Sequence, residues 1–306
     1  MVTLGGITVR APDLPYVRAA QDGWRALAHR RLTQTFEKAQ EVLFDDSSRF
    51  IFFSDCHRGD NTRGDAFAAN KDLFMHAMGY YYDNGFSYVE VGDGDELWKN
   101  RRMDNILRAH PAVFDLFHEL NRENRLHLLL GNHDIQGAHL RHYMRKDDLD
   151  VGEALVLRHT RTGQRIFVAH GHQADLKSDH LHTVSRFMVR NVWRRIQNLG
   201  FGPVATPYQG STVQSRVIQR LLEWVEENQQ MMICGHTHAP SFARSAQVPY
   251  FNTGSCIYYG YMTGIEIQDN MISQVKWFYD VGPGGRSRIV RQFLGAPRDL
   301  RCFAPA

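Results

Sequence analysis

Five times along this chain a short apolar run stops at a cluster drawn from Asp, His and Asn, and that recurrence constrains the fold more than any other feature. Phe50–Phe53 leads into Ser54-Asp55-Cys56-His57, and Phe86–Val91 into Gly92-Asp93-Gly94-Asp95-Glu96. Leu126–Leu130 ends in Gly131-Asn132-His133-Asp134, Arg165–Ala169 in His170-Gly171-His172, and Met231–Cys234 in Gly235-His236-Thr237-His238. Short continuous apolar runs of this kind read as buried strands. Between the first three runs, residues 65–83 (Phe67, Leu73, Phe74, Ala77, Met78, Tyr81) and about Ile106–Asn124 carry helical spacing. The order is therefore β-α-β-α-β, with polar chemistry at the C-terminal end of each strand, where α/β sheets collect their sites.

The rest of the chain frames this middle. From Leu14 to Val42 the residues Val17, Trp24, Leu27, Leu32, Phe36 and Val42 are loosely helix-spaced, which predicts a helical extension over residues 1–48. A domain over 49–282 follows, and a Gly-, Pro- and Arg-rich tail at 283–306 is expected to be an irregular cover. Tyr250–Cys256 reads as a strand and turn, and Ile265–Phe278 as closing strands. No stretch reaches the length and apolarity of a membrane span, and no basic segment followed by an apolar run marks a secretory signal, so a cytoplasmic protein is expected. The four cysteines are scattered without a C-x-x-C pair, which argues against a thiolate metal site. A net charge of +3 suits an anionic substrate, but without a dense Lys/Arg block it speaks against nucleic acid.

The clusters have a shared chemistry. Asp and His two apart beyond a strand end can share one cation, and carboxylate oxygen with imidazole nitrogen suits Mn, Fe or Zn. His236 and His238, also two apart, can bring two imidazoles to one centre. Asn132 offers a neutral carbonyl, His133 a titratable imidazole, and Asp134 an anion that either orients that imidazole or caps the turn. Asp95 and Glu96 either support the site from behind or cap a turn, and Arg58 either contacts a substrate phosphate or forms a surface ion pair.

In this order the motifs resemble the calcineurin-like metallophosphoesterase superfamily: D-x-H at Asp55–His57, G-D at Gly92-Asp93, G-N-H-D at Gly131–Asp134, H-G at His170-Gly171 and G-H-T-H at Gly235–His238. The Asn252-Thr253-Gly254-Ser255 turn is typical of that family too, so the resemblance spans roughly residues 49–260. It implies an α/β (α+β) fold in which a two-sheet β-sandwich is flanked by helices and carries a binuclear metal centre. By motif position Asp55, His57 and His238 would hold one ion, Asn132, His170 and His236 the other, and Asp93 would bridge them. Two divalent ions about 3.5–4 Å apart activate a hydroxide for attack on phosphorus. Mn is favoured, with Fe and Zn as alternatives. His133 would stabilise the transition state or protonate the leaving oxygen, with Asp134 fixing its tautomer.

A narrower resemblance is to the UDP-2,3-diacylglucosamine hydrolases of lipid A synthesis, which place a helical lid between the last two motifs. Here that insertion runs from about 175 to 228. Leu181, Val184, Met188, Val192, Ile196 and Leu199 form an apolar stripe, and Arg186, Arg190 and Arg194 a basic one. One reading is a lid for acyl chains or a membrane surface, with Arg190 and Arg194 gripping a diphosphate; the other is a helix packed on the core with a solvated arginine face. The chain departs from that group in its longer acidic run to Trp98, in His172 where an acid is usual, and in its extra N-terminal residues. The function expected is hydrolysis of a phosphoester or pyrophosphate bond in a phosphorylated small molecule or lipid-linked substrate. A protein phosphatase or small-nucleotide phosphodiesterase is the alternative within the class, and a non-catalytic metal-binding scaffold the alternative outside it. No obligate protein partner is implied.

Overall fold

The computed structural model describes residues 2–4, 7–9, 15–100, 102–134, 151–175, 212–282 and 285–304, with side chains from Asp22 onward. A short hairpin, β1 (Val2–Leu4) and β2 (Ile7–Val9), precedes helix α1 (Pro15–Glu37) and strands β3 (Gln40–Phe44) and β4 (Phe50–Phe53). Helix α2 (Lys71–Asp83), strand β5 (Ser87–Val91), helices α3 (Met103–Ala109) and α4 (Pro111–Arg122) and strand β6 (Leu126–Leu129) follow. Next come β7 (Val151–Gly152), β8 (Ala154–His159), β9 (Arg165–Ala169), helix α5 (Thr212–Asn228), β10 (Met231–Cys234) and β11 (Tyr250–Asn252). The chain closes with β12 (Tyr261–Gln268), β13 (Met271–Val281), β14 (Ser287–Phe293) and β15 (Arg298–Asp299).

These strands form a five-stranded sheet, β11-β10-β9-β8-β3, and an eight-stranded one, β14-β13-β12-β4-β5-β6-β7, with β15 beside β13. The period of two along each strand decides which side chains meet. Phe50, Phe52, Val89, Val91 and Leu129 of the larger sheet interleave with Leu155, Leu157, Ile166, Val168 and Ile233 of the smaller. The alternate residues Ile51, Phe53, Tyr88 and Leu128 face outward onto Phe74, Met78, Ile106, Phe114 and Phe117 of α2, α3 and α4. On the other side Val156, Phe167, Met232 and Cys234 meet Leu32 of α1 and Val217, Leu221 and Trp224 of α5. The result is the two-sheet sandwich between helical layers that the motifs predict. Each of these large apolar side chains contributes roughly 1.5–3 kcal/mol by its burial.

Three local expectations need correction. The helical pattern over Ile106–Asn124 is two helices, because Pro111 cannot donate to the preceding turn and starts α4 at its first position. Val42 lies in β3, which pairs parallel with β8 at the edge of the smaller sheet, rather than in a helix. The tail is not merely irregular: β14 pairs antiparallel with β13 along Val281–Val275. Among the described residues no helix is long and apolar enough to cross a membrane.

Candidate metal centre

The parallel pairing β4-β5-β6 and β9-β10 brings the C-terminal ends of all five strands to one rim of the sandwich. Close approach there is unusually tight. A side-chain carbon on Gly131 would overlap the Asp93 carboxylate, and one on Gly92, at φ 77°, would lie 2.6 Å from His170 Cγ. Five polar residues past these strand ends, Asp55, His57, Asp93, His236 and His238, have φ between 47° and 64°. Non-glycine residues seldom adopt that left-handed backbone, and its clustering at a rim of carboxylates and imidazoles is the pattern of a functional site.

The side chains converge. Asp55 Oδ1 lies 3.0 Å from His238 Nε2, which is 3.4 Å from His57 Nε2. Asp93 Oδ2 lies 3.2 Å from His170 Nε2 and 3.9 Å from His57 Nε2, so it stands between the two halves of the cluster. Donor atoms of Asp55, His57 and His238 lie within 4.8 Å of one another, as do those of Asp93, His170 and His236. Each carboxylate has one oxygen fixed from behind: Asp55 Oδ2 accepts the His236 N–H at 3.0 Å and the Ser54 hydroxyl, and Asp93 Oδ1 accepts the His133 N–H at 2.8 Å. Asn132 Oδ1 is buried with no hydrogen-bond partner, while Asp55 Oδ1 and His170 Nε2 face imidazole and carboxylate atoms of the same cluster. Carboxylates and imidazoles packed this closely are the arrangement that divalent cations satisfy. The donor set fits the metals expected.

Charge at the rim follows from the same geometry. Burial lowers the His170 imidazole, but the Asp93 and Asp55 carboxylates outweigh it and raise its pKa to about 10. Burial raises Asp55, yet His238 and His170 bring it down to about 2, and the imidazoles of His170 and His133 likewise hold Asp93 well below the usual carboxylate range. The carboxylates thus stay ionised and draw positive charge to this spot.

His133 lies beside this group, within reach of His57 and Asp93. Its Nδ1 lies 2.8 Å from Glu96 Oε1, and its ring stacks on Trp98 at 4.0 Å, with Trp98 Nε1 donating to the Asn132 carbonyl at 2.6 Å. Glu96 Oε2 is also 3.3 Å from His57 Nδ1. Burial lowers the His133 pKa, and Glu96 and Asp93 more than compensate, so the ring keeps its proton to higher pH. Asp134 therefore does not orient His133. Its carboxyl accepts the N–H groups of Gly131 at 2.5 Å and Gly94 at 2.8 Å and ties two loops together, while burial and the carboxylates of Asp93 and Asp95 push it up to about 8.

Arg58 makes neither a substrate contact nor a surface ion pair. It is 0% exposed and points away from the rim, with Nη1 and Nη2 on Glu90 at 2.6 and 2.7 Å and Nε on Asp95 at 2.8 Å. The aromatic rings of Phe114 and Phe117 cover its guanidinium, so no donor reaches a substrate. Arg190 and Arg194, with the rest of the basic stripe, lie outside the described residues. Of the insertion, α5 is described: Gln214 Nε2 donates to the Thr237 carbonyl at 2.8 Å, beside His236 and His238. Sequence reasoning missed Trp98 and Asp175, whose Oδ2 is 3.4 Å from His236 Nε2. The signal for Trp98 was the unusual length of the run after Asp93; Asp175 had none.

A family model described as calcineurin-like phosphoesterase matches residues 48–240. No curated protein sequence matches the chain. Among solved structures, an archaeal phosphodiesterase is 14% identical, covering 80% of this chain and 99% of its own, with a TM-score of 0.38. Vps29 of Chaetomium thermophilum is 11% identical over 81% of this chain and 96% of its own, at 0.39. A protein serine/threonine phosphatase of Saccharomyces cerevisiae is 11% identical over 90% of each chain, at 0.33.

Proposed function

Because the chain belongs to the calcineurin-like phosphoesterase family, we propose that it hydrolyses a phosphoester or pyrophosphate bond with a binuclear metal centre. The observation that carries this reading is the convergence of Asp55, His57 and His238, and of Asp93, His170 and His236, on one rim with Asp93 between the two halves. Asp55, His57 and His238 would hold one cation, Asn132, His170 and His236 the other, and Asp93 both; Mn suits this nitrogen and oxygen set. When bound, the two cations neutralise charge on the phosphoryl oxygens and lower the pKa of the attacking water. His133 donates its Nε2 proton to the leaving oxygen as the P–O bond breaks. Glu96 keeps the other proton on Nδ1, and the Trp98 indole fixes the ring plane.

A lipid-linked pyrophosphate of the UDP-2,3-diacylglucosamine type is the substrate we propose first, with Arg190 and Arg194 on the diphosphate and peripheral contact with a membrane surface. The experiment is hydrolysis of that substrate by Mn-loaded protein beside a chromogenic phosphodiester. Cleavage of both supports the lipid reading, cleavage of the chromogenic diester alone rejects it, and cleavage of neither counts against a phosphoesterase.

A further inference from the structure

Helix α1 lies outside the matched residues 48–240, yet a chain of contacts runs from it to the candidate metal centre. Arg31 Nη2 donates to Glu153 Oε1 at 2.5 Å, and the same oxygen accepts from Gln173 Nε2 at 3.1 Å. Gln173 is fully buried, and its Oε1 accepts the N–H of Gly171 at 3.0 Å. Gly171, at φ 105°, forms the turn directly after His170. The other side of that turn is closed by Arg220 Nη1 of α5, which donates to the Ala174 carbonyl at 2.9 Å. Helix α1 is itself anchored, with Leu32 in the core and Thr33 Oγ1 accepting from Trp224 Nε1 of α5 at 3.0 Å.

We infer that Arg31 is a positioning residue: through Glu153 and Gln173 it fixes the Gly171 turn and so the imidazole of His170, and thereby sets the affinity of the cation held by Asn132, His170 and His236. This rests on the two-cation reading above. The Arg31 and Glu153 side chains are 31% and 35% exposed, and ion pairs this open add little to global stability. Loss of Arg31 therefore acts on the turn more than on the fold. Direct hydrogen-bond partners of metal ligands change metal affinity about 10–100-fold when removed, and Arg31, which reaches the His170 turn through two further side chains, is expected to act at the lower end of that range.

The test is a Mn(II) titration of the metal-free full-length protein, followed by the electron paramagnetic resonance of free Mn(II). Wild type is expected to bind two equivalents. Arg31→Met is expected to bind the first as wild type does and the second about 10-fold more weakly, with Arg31→Lys recovering most of the loss. Wild-type behaviour of Arg31→Met, or equal weakening of both equivalents, overturns the inference alone. Wild type binding fewer than two equivalents overturns the proposed centre and the inference with it. Should Arg31→Met fail to fold, Glu153→Gln carries the same expectation.

Discussion

Glu96→Gln separates the two carboxylates that could serve His133. The side chain keeps its size, but an amide nitrogen or a neutral oxygen replaces the carboxylate at 2.8 Å from His133 Nδ1 and at 3.3 Å from His57 Nδ1. A buried hydrogen bond to a charged group is worth about 1.5–3 kcal/mol, and Glu96 is only 4% exposed, so water cannot replace it. At about 1.4 kcal/mol per factor of ten, the expected loss in kcat is roughly 10–150-fold. The loss should fall on substrates whose leaving oxygen needs a proton. A diester with an alkyl leaving group should lose the full factor, and one releasing p-nitrophenolate much less. The assay is steady-state kinetics on a series of phosphodiesters graded by leaving-group pKa, with Mn content measured alongside because Glu96 also touches His57. An equal loss across the series at unchanged Mn content would refute the role of Glu96. So would leaving-group dependence appearing in Asp134→Asn instead, since among the described residues that carboxyl accepts from the backbone N–H groups of Gly131 and Gly94.

Arg58→Met leaves Glu90 and Asp95 buried without their cation, which costs about 3–5 kcal/mol. For a chain of 306 residues that corresponds to a fall in Tm of roughly 5–8 °C by calorimetry; an unchanged Tm with a raised KM would return Arg58 to the substrate. If Arg190 and Arg194 grip a diphosphate, the double change Arg190→Ala with Arg194→Ala lowers kcat/KM on a lipid-linked pyrophosphate far more than on a chromogenic diester, and equal effects would leave the stripe as a solvated face.

What could be seen in the sequence was what repeats. Phe50–Phe53 and Met231–Cys234 are buried from end to end, and Leu126–Leu129 at all positions but His127, so each announces itself as an apolar run with a polar stop. Strand β8 has a similar apolar core, Ala154–Leu157, but no chemical cluster follows it to draw attention. Strand β14 carries Arg288 and Arg291 in a Gly- and Pro-rich tail and is recognisable only by its pairing with β13. The candidate metal ligands follow from strand ends, whereas the roles of Arg58 and Glu96 depend on which way a loop turns. Glu90 decides the first: period two places it on the helix-covered face of β5, where a buried carboxylate requires a cation, and among the described residues Arg58 supplies it. Glu96 and Asp134 are both acids near His133 in a linear reading, and only the folding of the loop after Asp93 across the loop after β6 chooses between them.

Whether one carboxylate, Asp93, joins two cations into a hydrolytic centre is decided by measuring Mn content and hydrolysis of bis(p-nitrophenyl) phosphate on the same preparations of wild type and Asp93→Asn. Wild type is expected to hold two equivalents of Mn with measurable turnover, and Asp93→Asn to lose both metal and turnover. A wild-type protein that neither binds Mn nor cleaves the diester, or an Asp93→Asn variant that does both undiminished, would contradict that centre.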